Sequence, residues 1–285
     1  MNRETRSRGA QTVDRALAVL EALRTSGSEM RLRDVSAAVD LNATAVHRLL
    51  SSLMAAGFVA QDPDSRTYRL GWGLLSYADA LLRNTQLAEV SAPVARQLRD
   101  LSGETVSVQI RNGGERVCIF EAEGLHDVRR RVAIGSQLPL HASASGRAIL
   151  AFLPDAEIDT LLRGTLRSVT PFTATDPKEI RVALAEIRST GIARSHDESV
   201  VGASAIATPV FQAGRGAVGS IAVTGPTTRW AAVDTPELER ELLRLAAELS
   251  ERLGSRGLSN GSADDSPATP EEPIPEPVSV GAGGR

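Results

Sequence analysis

Between Leu32 and Leu70 the hydrophobic period changes from that of a helix to that of a strand, and the two helices before the change are separated by two residues. LRDVSAAVD puts Leu32, Val35 and Val39 on one helical face. NATAVHRLLSSLMAAG does the same with Val46, Leu49, Leu50 and Leu53, and Asn42 is placed to cap its start. Asp40 and Leu41 alone lie between them. After Gly57, FVAQD and TYRL have the period of short strands, joined by the turn signal Pro63-Asp64. Upstream, TVDRALAVLEALRTSG carries the stripe Val13, Leu17, Leu20 and Leu23, with Thr12 as the expected N-cap. Three small helices and a hairpin make a winged helix-turn-helix, in which the second helix of the pair lies in the major groove of DNA.

The outward face of that second helix tests the reading. With Val46, Leu49, Leu50 and Leu53 turned inward, Asn42, Ala43, Thr44, His47, Arg48 and Ser51 remain near the exposed side. They are small or polar and suit base edges and phosphates, Arg48 having the longest reach. Arg33 on the preceding helix is a further candidate DNA contact, Arg66 sits at the hairpin tip, where a wing would meet the backbone or the minor groove, and Arg6 and Arg8 belong to a flexible basic arm over residues 1–12. The alternative is a compact bundle with a solvated polar face. The net charge of −3 counts against nucleic acid only until it is located. Residues 255–285 hold −3, whereas residues 1–72 hold ten arginines against eight carboxylates.

Residues 71–87 form a further amphipathic pattern whose apolar face has no home in so small a unit, so it is expected to link two domains and to pair with a second subunit. A helix near 91–101 follows, then the strands TVSVQIR and RVCIFEAE around Asn112-Gly113-Gly114, a hairpin signal. Helical patterns at 145–153, 155–163 and 177–190 precede the strands IARS, AIATPVF and VGSIAVTG. Leu238, Leu242, Leu245, Leu249 and Leu253 then mark a closing amphipathic helix. The fold class is α+β, an antiparallel sheet with flanking helices. The expected divisions are 1–72, 73–90, 91–254 and an acidic, proline-rich tail at 255–285, which is expected to be disordered.

Several segments could carry chemistry. GRGAVG at 214–219 matches the dinucleotide fingerprint, but a strand rather than a helix follows, which makes it a hairpin turn. LPLHASASGRAIL leads small residues into a helix, where the N–H groups of Ala144, Ser145 and Gly146 suit a small anion; the alternative is an ordinary serine-capped start. SHDESVVGAS concentrates Ser195, His196, Asp197 and Glu198 between two strands, as a ligand lid would. A hydrolase using Ser145 or His196 is the rival enzyme reading, and it lacks a nucleophile elbow. A sensor that binds ligand and protein without DNA is the third class. Four scattered histidines and the single Cys118 suggest no metal site and no internal disulfide, no cofactor is implied, and no apolar run approaches a membrane span. A reducing cytoplasm fits. Of the 32 basic residues 31 are arginine, which reads as genomic base composition.

Taken together, TVDRALAVLEAL, ATAVHRLLSSLMAAGFV with YRLG, LPLHASASGRAILA, and GIARSHDESVVGASAIATPV with SIAVTGP resemble the IclR family of bacterial transcription regulators, over residues 11–252. The resemblance implies an N-terminal winged helix, a linker helix used in dimerisation and a C-terminal GAF-like domain that binds a small effector, with no enzymatic activity. It also implies a homodimer or homotetramer on a partly palindromic double-stranded DNA operator, more often as repressor than activator. By position, Asn42 to Ala56 corresponds to the recognition helix, with Thr44, His47 and Arg48 as DNA contacts. The effector pocket, suited to an organic acid, corresponds to Ala144, Ser145, Gly146, Ser195, Asp197, Glu198, Ala205, Ala222 and Thr224. Asp40 stands where the family usually has glycine, and aspartate tolerates left-handed geometry better than most residues. Ala205 stands where cysteine is frequent, which removes a polarisable group. By the same analogy Arg129 to Arg131 lie near the pocket entrance, as an anion holder or as a solvated strand edge.

Overall fold

The computed structural model describes residues 8–83, 85–233 and 236–255, with side chains from residue 11 onward in these segments. Arg6, the side chain of Arg8 and the tail beyond Ser255 lie outside the described residues. The chain divides into two units, residues 1–84 and 85–285.

In the first unit α1 (Arg8–Ser26), α2 (Leu32–Val39) and α3 (Ala43–Ala55) precede a hairpin of β1 (Val59–Gln61) and β2 (Tyr68–Leu70), and α4 (Gly73–Arg83) follows. The core joins Val19 and Leu23 of α1 to Val35, Val46, Leu50, Leu53, Val59 and Tyr68. Two expectations for α1 change. The helix starts at Arg8, so residues 8–12 of the expected arm are helical and Thr12 lies inside the helix. Its inward face is Ala16, Val19, Leu20 and Leu23, an i, i+3, i+4, i+7 set, which leaves Val13 and Leu17 exposed.

The short turn between α2 and α3 closes because Asp40 takes the left-handed conformation, φ 51° and ψ 49°, and returns its N–H to the Ser36 carbonyl. Asn42 then caps α3, its side chain accepting from the Ala45 N–H at 2.8 Å. At the hairpin tip the Asp62 carboxylate accepts from the N–H groups of Asp64 and Ser65 and from the Ser65 hydroxyl, at 3.0, 2.8 and 2.9 Å. Those bonds hold its pKa below the usual carboxylate value. Where the chain leaves the hairpin, a Cβ on Gly71 would run into the Gly57 carbonyl, and one on Gly73 would sit 2.7 Å from the same oxygen. Only glycine lets α4 start so close to the hairpin base.

The second unit opens with α5 (Gln86–Ser102), which begins after α4 has ended at Arg83. The single linking helix expected over 73–90 is thus two helices, and the second continues through Pro93. There follow β3 (Thr105–Asn112), β4 (Glu115–Ala122), β5 (Gln137–Pro139), α6 (Ala144–Leu150), α7 (Asp155–Arg163), α8 (Pro177–Thr190), β6 (Ala193–His196), β7 (Ala203–Gln212) and β8 (Gly216–Pro226). A short α9 (Trp230–Val233) and α10 (Pro236–Arg252) complete the described fold. The strand order is β5-β4-β3-β8-β7-β6 with antiparallel neighbours, so α+β describes it. GRGAVG runs from the β7–β8 turn into β8: Gly214 and Arg215 lie in the turn, Gly216 opens the strand, and Gly214 and Gly216 both adopt φ 70°.

One face of this sheet is apolar. Val106, Val108, Ile206, Val210, Ile221 and Val223 pack there against Leu98 of α5 and Leu242, Leu245 and Leu249 of α10. The Ser250 hydroxyl pins α10 to β7 by accepting the Phe211 N–H at 3.0 Å. The other face meets α6 and α8 through Ala205, Ala207, Ala222, Ile149 and Leu184. Toward β3 and β4 that face turns polar, with Thr105, Ser107, Gln109 and Arg116 all buried. A bulge at Ile119, where Val108 pairs with Phe120 but Gln109 with Cys118, resets the β4 register.

The Asp40 geometry makes a prediction. Asp40→Gly should unfold at equal or higher urea concentration than wild type, whereas Asp40→Val should lose about 1–2 kcal/mol, the cost of a left-handed β-branched residue. Equal stability of the two variants would contradict the left-handed turn.

Candidate DNA-reading helix and ligand cavity

On α3 the buried residues Val46, Leu50 and Leu53 occupy one face. Asn42, Ala43, Thr44, His47, Arg48 and Ser51 are all exposed on the opposite side. The Ser51 hydroxyl is turned back onto the His47 carbonyl at 2.8 Å, so within this row Thr44, His47 and Arg48 have the side chains available for contact. Arg48 has no side-chain partner among the described residues. Arg33 is exposed on α2 and pairs loosely with Asp34 at 3.2 Å, a contact a phosphate can displace. Arg66 sits at the hairpin tip in the left-handed conformation, φ 57°, and is exposed.

In the second unit a cavity of about 260 Å³ opens over the polar part of the sheet. Ser107 and Gln109 of β3, Arg116 of β4, Ser143 and Ser145 at the start of α6, Ser195 of β6, Ser204 and Ala205 of β7 and Thr224 of β8 line it, with Arg130 and Arg131 on the intervening segment. Arg116 is 5% exposed and donates to the Ser143 hydroxyl at 3.2 and 3.1 Å and to the Gln109 side-chain oxygen at 2.9 Å. Gln109 in turn donates to the Ser107 hydroxyl at 3.0 Å. Ser143 itself has φ 139° and ψ 168°, a region that costs a non-glycine residue about 1–3 kcal/mol. Burial pushes the neighbouring Cys118 thiol up to about 11, so it stays neutral.

Residues 12–63 match the IclR helix-turn-helix domain, and residues 79–251 match the C-terminal domain of the bacterial transcriptional regulator IclR. The chain belongs to the IclR family of bacterial transcriptional regulators. It is 36% identical over 251 residues to the HTH-type transcriptional repressor AllR of Escherichia coli K12, covering 87% of this chain and 92% of that protein. It is similar in fold to the Thermotoga maritima IclR, with a TM-score of 0.73, 24% identity, and coverage of 86% and 99% of the two chains. An IclR homologue from Microbacterium hydrocarbonoxydans, complexed with 4-hydroxybenzoate, is similar at a TM-score of 0.72 and 22% identity over 85% and 99%. The protein is a DNA-binding transcription regulator, and the families it matches are regulators, not enzymes. Among the described residues no helix is long and apolar enough to cross a membrane.

Within this IclR-family chain the structure divides the nine residues expected at the effector pocket. Ser145, Ser195, Ala205 and Thr224 line the cavity. Ala144 and Ala222 are buried in the α6–α8 core, and Gly146 is fully packed because a Cβ there would strike the Leu140 carbonyl. Asp197 and Glu198 are engaged elsewhere. Asp197 accepts from the Gly202 N–H and the Thr227 hydroxyl, both at 2.8 Å. Glu198 takes both terminal nitrogens of Arg147, whose Nη2 lies 2.7 Å from one carboxylate oxygen and equally close to the Arg194 carbonyl. For the hydrolase reading, His141 bonds the Arg167 carbonyl at 3.1 Å and His196 bonds Ser204 at 2.9 Å, so neither engages Ser145. Sequence reasoning missed Arg116, Gln109 and Ser143. The signal was the alternation of Thr105, Ser107 and Gln109 with Val106, Val108 and Ile110, of which Ser107 and Gln109 line the cavity.

Two predictions follow from these contacts. The Arg147 and Glu198 side chains are 5% and 12% exposed, so Glu198→Gln leaves a buried guanidinium unpaired. It should destabilise the chain by about 3 kcal/mol in thermal or urea unfolding; unchanged stability would return Glu198 to the candidate ligand contacts. Burial holds the His141 pKa below its ordinary 6.5, so the folded state resists a proton that the unfolded chain accepts. Stability should therefore fall as pH drops below about 6.5, and His141→Asn should flatten that part of the profile. An identical slope in the variant would assign the pH dependence to other groups.

Proposed function

We propose that this protein is a transcriptional repressor that binds a partly palindromic operator as a homo-oligomer and changes its DNA affinity when a small effector occupies the cavity. The observation that carries the reading is the row of Thr44, His47 and Arg48, exposed on a helix whose opposite face is locked into a core. In a helix-turn-helix such a row lies against base edges, with Arg48 and the hairpin arginine Arg66 at phosphates. The likeness to AllR, a repressor by name, over most of both chains supports the direction of control. Oligomerisation is supported by Trp72, Leu75, Tyr77 and Leu81, large apolar residues exposed on and beside α4. The 4-hydroxybenzoate complex of the Microbacterium homologue supports a ligand role for the cavity-bearing domain. Release needs only that the effector bind two conformations with different affinity.

Fluorescence anisotropy of the full chain on the DNA upstream of its own gene tests this. Arg48→Ala should weaken binding about tenfold and reduce the salt dependence by roughly one phosphate contact. Equal, weak binding of variant and wild type at low salt would refute the reading.

A further inference from the structure

The second unit holds another cavity, of about 280 Å³, which borders the same stretch of chain as the first. Gln137, Leu138, Ser143 and Ser145 line the first cavity, whereas Pro139, Leu140 and His141 line the second. The two have no lining residue in common, so they are separate spaces divided by one segment. Their chemistry differs as well. Leu140, Leu150, Leu161, Leu162 and Leu166 make the walls of the second. Close packing leaves few gaps in a protein interior larger than one water, so a space of this size calls for an occupant. Glu115 and Arg167 both belong to its lining, one charge of each sign, against three arginines and no carboxylate around the first. A charged occupant of either sign meets a like charge there, and a neutral one meets neither penalty.

One polar atom of this cavity is unanswered. His141 is 6% exposed, and its Nε2 lies 3.1 Å from the Arg167 carbonyl. A carbonyl only accepts, so Nε2 carries the proton. Burial holds the ring below its ordinary pKa, which leaves the imidazole neutral and makes Nδ1 a bare acceptor. Nδ1 has no hydrogen bond among the described residues, and a buried acceptor left without a donor is costly. Walls of leucine offer a water too few further partners to hold it at that atom.

We propose that this second cavity binds a small neutral phenol or cyclic alcohol, whose O–H donates to His141 Nδ1 while its ring lies against the leucines. Pockets for drug-sized ligands run from roughly 300 to 1,000 Å³, so this one admits a single ring with a short substituent and little more. His141 is then a binding residue, and the Arg167 carbonyl a positioning group that fixes its tautomer. The site is independent of whatever occupies the first cavity.

Titration calorimetry on the full chain tests this with phenol, p-cresol and cyclohexanol, each set against its methyl ether, which keeps the apolar body and lacks the donor. At least one hydroxyl compound should bind wild type at least tenfold more tightly than its ether. Leu166→Trp, which puts an indole into the space, should abolish that binding, whereas Ser195→Trp, which crowds the first cavity, should leave it unchanged. His141→Phe keeps a ring and removes the acceptor, so binding of the hydroxyl compound should fall at least tenfold, to the level of its ether. That comparison is made within one variant and decides alone if Leu166→Trp fails to fold. Failure of all three hydroxyl compounds, ethers that bind as tightly, or a preference that persists in His141→Phe would overturn the proposal. So would binding that survives Leu166→Trp, or binding lost in Ser195→Trp, which would place the compound in the first cavity.

Discussion

A six-stranded antiparallel sheet has two faces to cover, and in the second unit of this chain they carry different chemistry. One face buries valine and isoleucine under α5 and α10, which fixes the sheet in the way most cores are fixed. The other is closed by α6 and α8 at one end only, and under the open end Thr105, Ser107, Gln109 and Arg116 are buried without an apolar partner layer. Burying polar groups there requires that they bond one another, and the chain Arg116 to Gln109 to Ser107 does so. The buried Arg147–Glu198 pair does the equivalent work behind α6, tying that helix to the β6–β7 loop. A cavity whose walls are held by hydrogen bonds is preorganised for a polar ligand, and the same network links the floor of the cavity to the first residue before α6.

The first unit solves a smaller problem with the same economy. Eight buried residues from three helices and a hairpin form its core, so every local device that fixes geometry matters. The left-handed Asp40, the Asn42 cap and the Asp62 bonds at the hairpin tip each constrain a junction. Their joint result is that α3 has a single inward face, and Thr44, His47 and Arg48 have no choice but solvent or a partner. Rigid presentation of a few polar side chains is what groove reading requires.

Legibility from sequence follows the range of the interaction. The helix pair could be read because its signals are local: Asn42 caps three residues ahead, Val46 and Leu50 are one turn apart, and Asp62 bonds within its own turn. That GRGAVG belongs to a hairpin was legible for the same reason, since the segment runs directly into β8. Glu198 was not, because Arg147, which neutralises it, lies 51 residues earlier. A polar loop between strands looks the same whether its carboxylates face a ligand or a buried arginine. Arg116 and Gln109 were missed for the converse reason: alternating polar positions on a strand read as a wetted face, and here distant α6 and the 130–138 segment cover them. The start of α1 was misplaced because Thr12 is a competent cap that the chain does not use, the helix having already begun at Arg8.

If the face of α3 bearing Thr44, His47 and Arg48 reads DNA in the context of an oligomer, the operator carries the mark of two reading helices. Hydroxyl-radical footprinting of the full chain on the DNA upstream of its own gene reads that mark. Two protected half-sites related by approximate dyad symmetry and spaced by about one helical turn or a multiple of it are expected. Uniform protection without half-sites, at concentrations where the protein is bound, would contradict that reading.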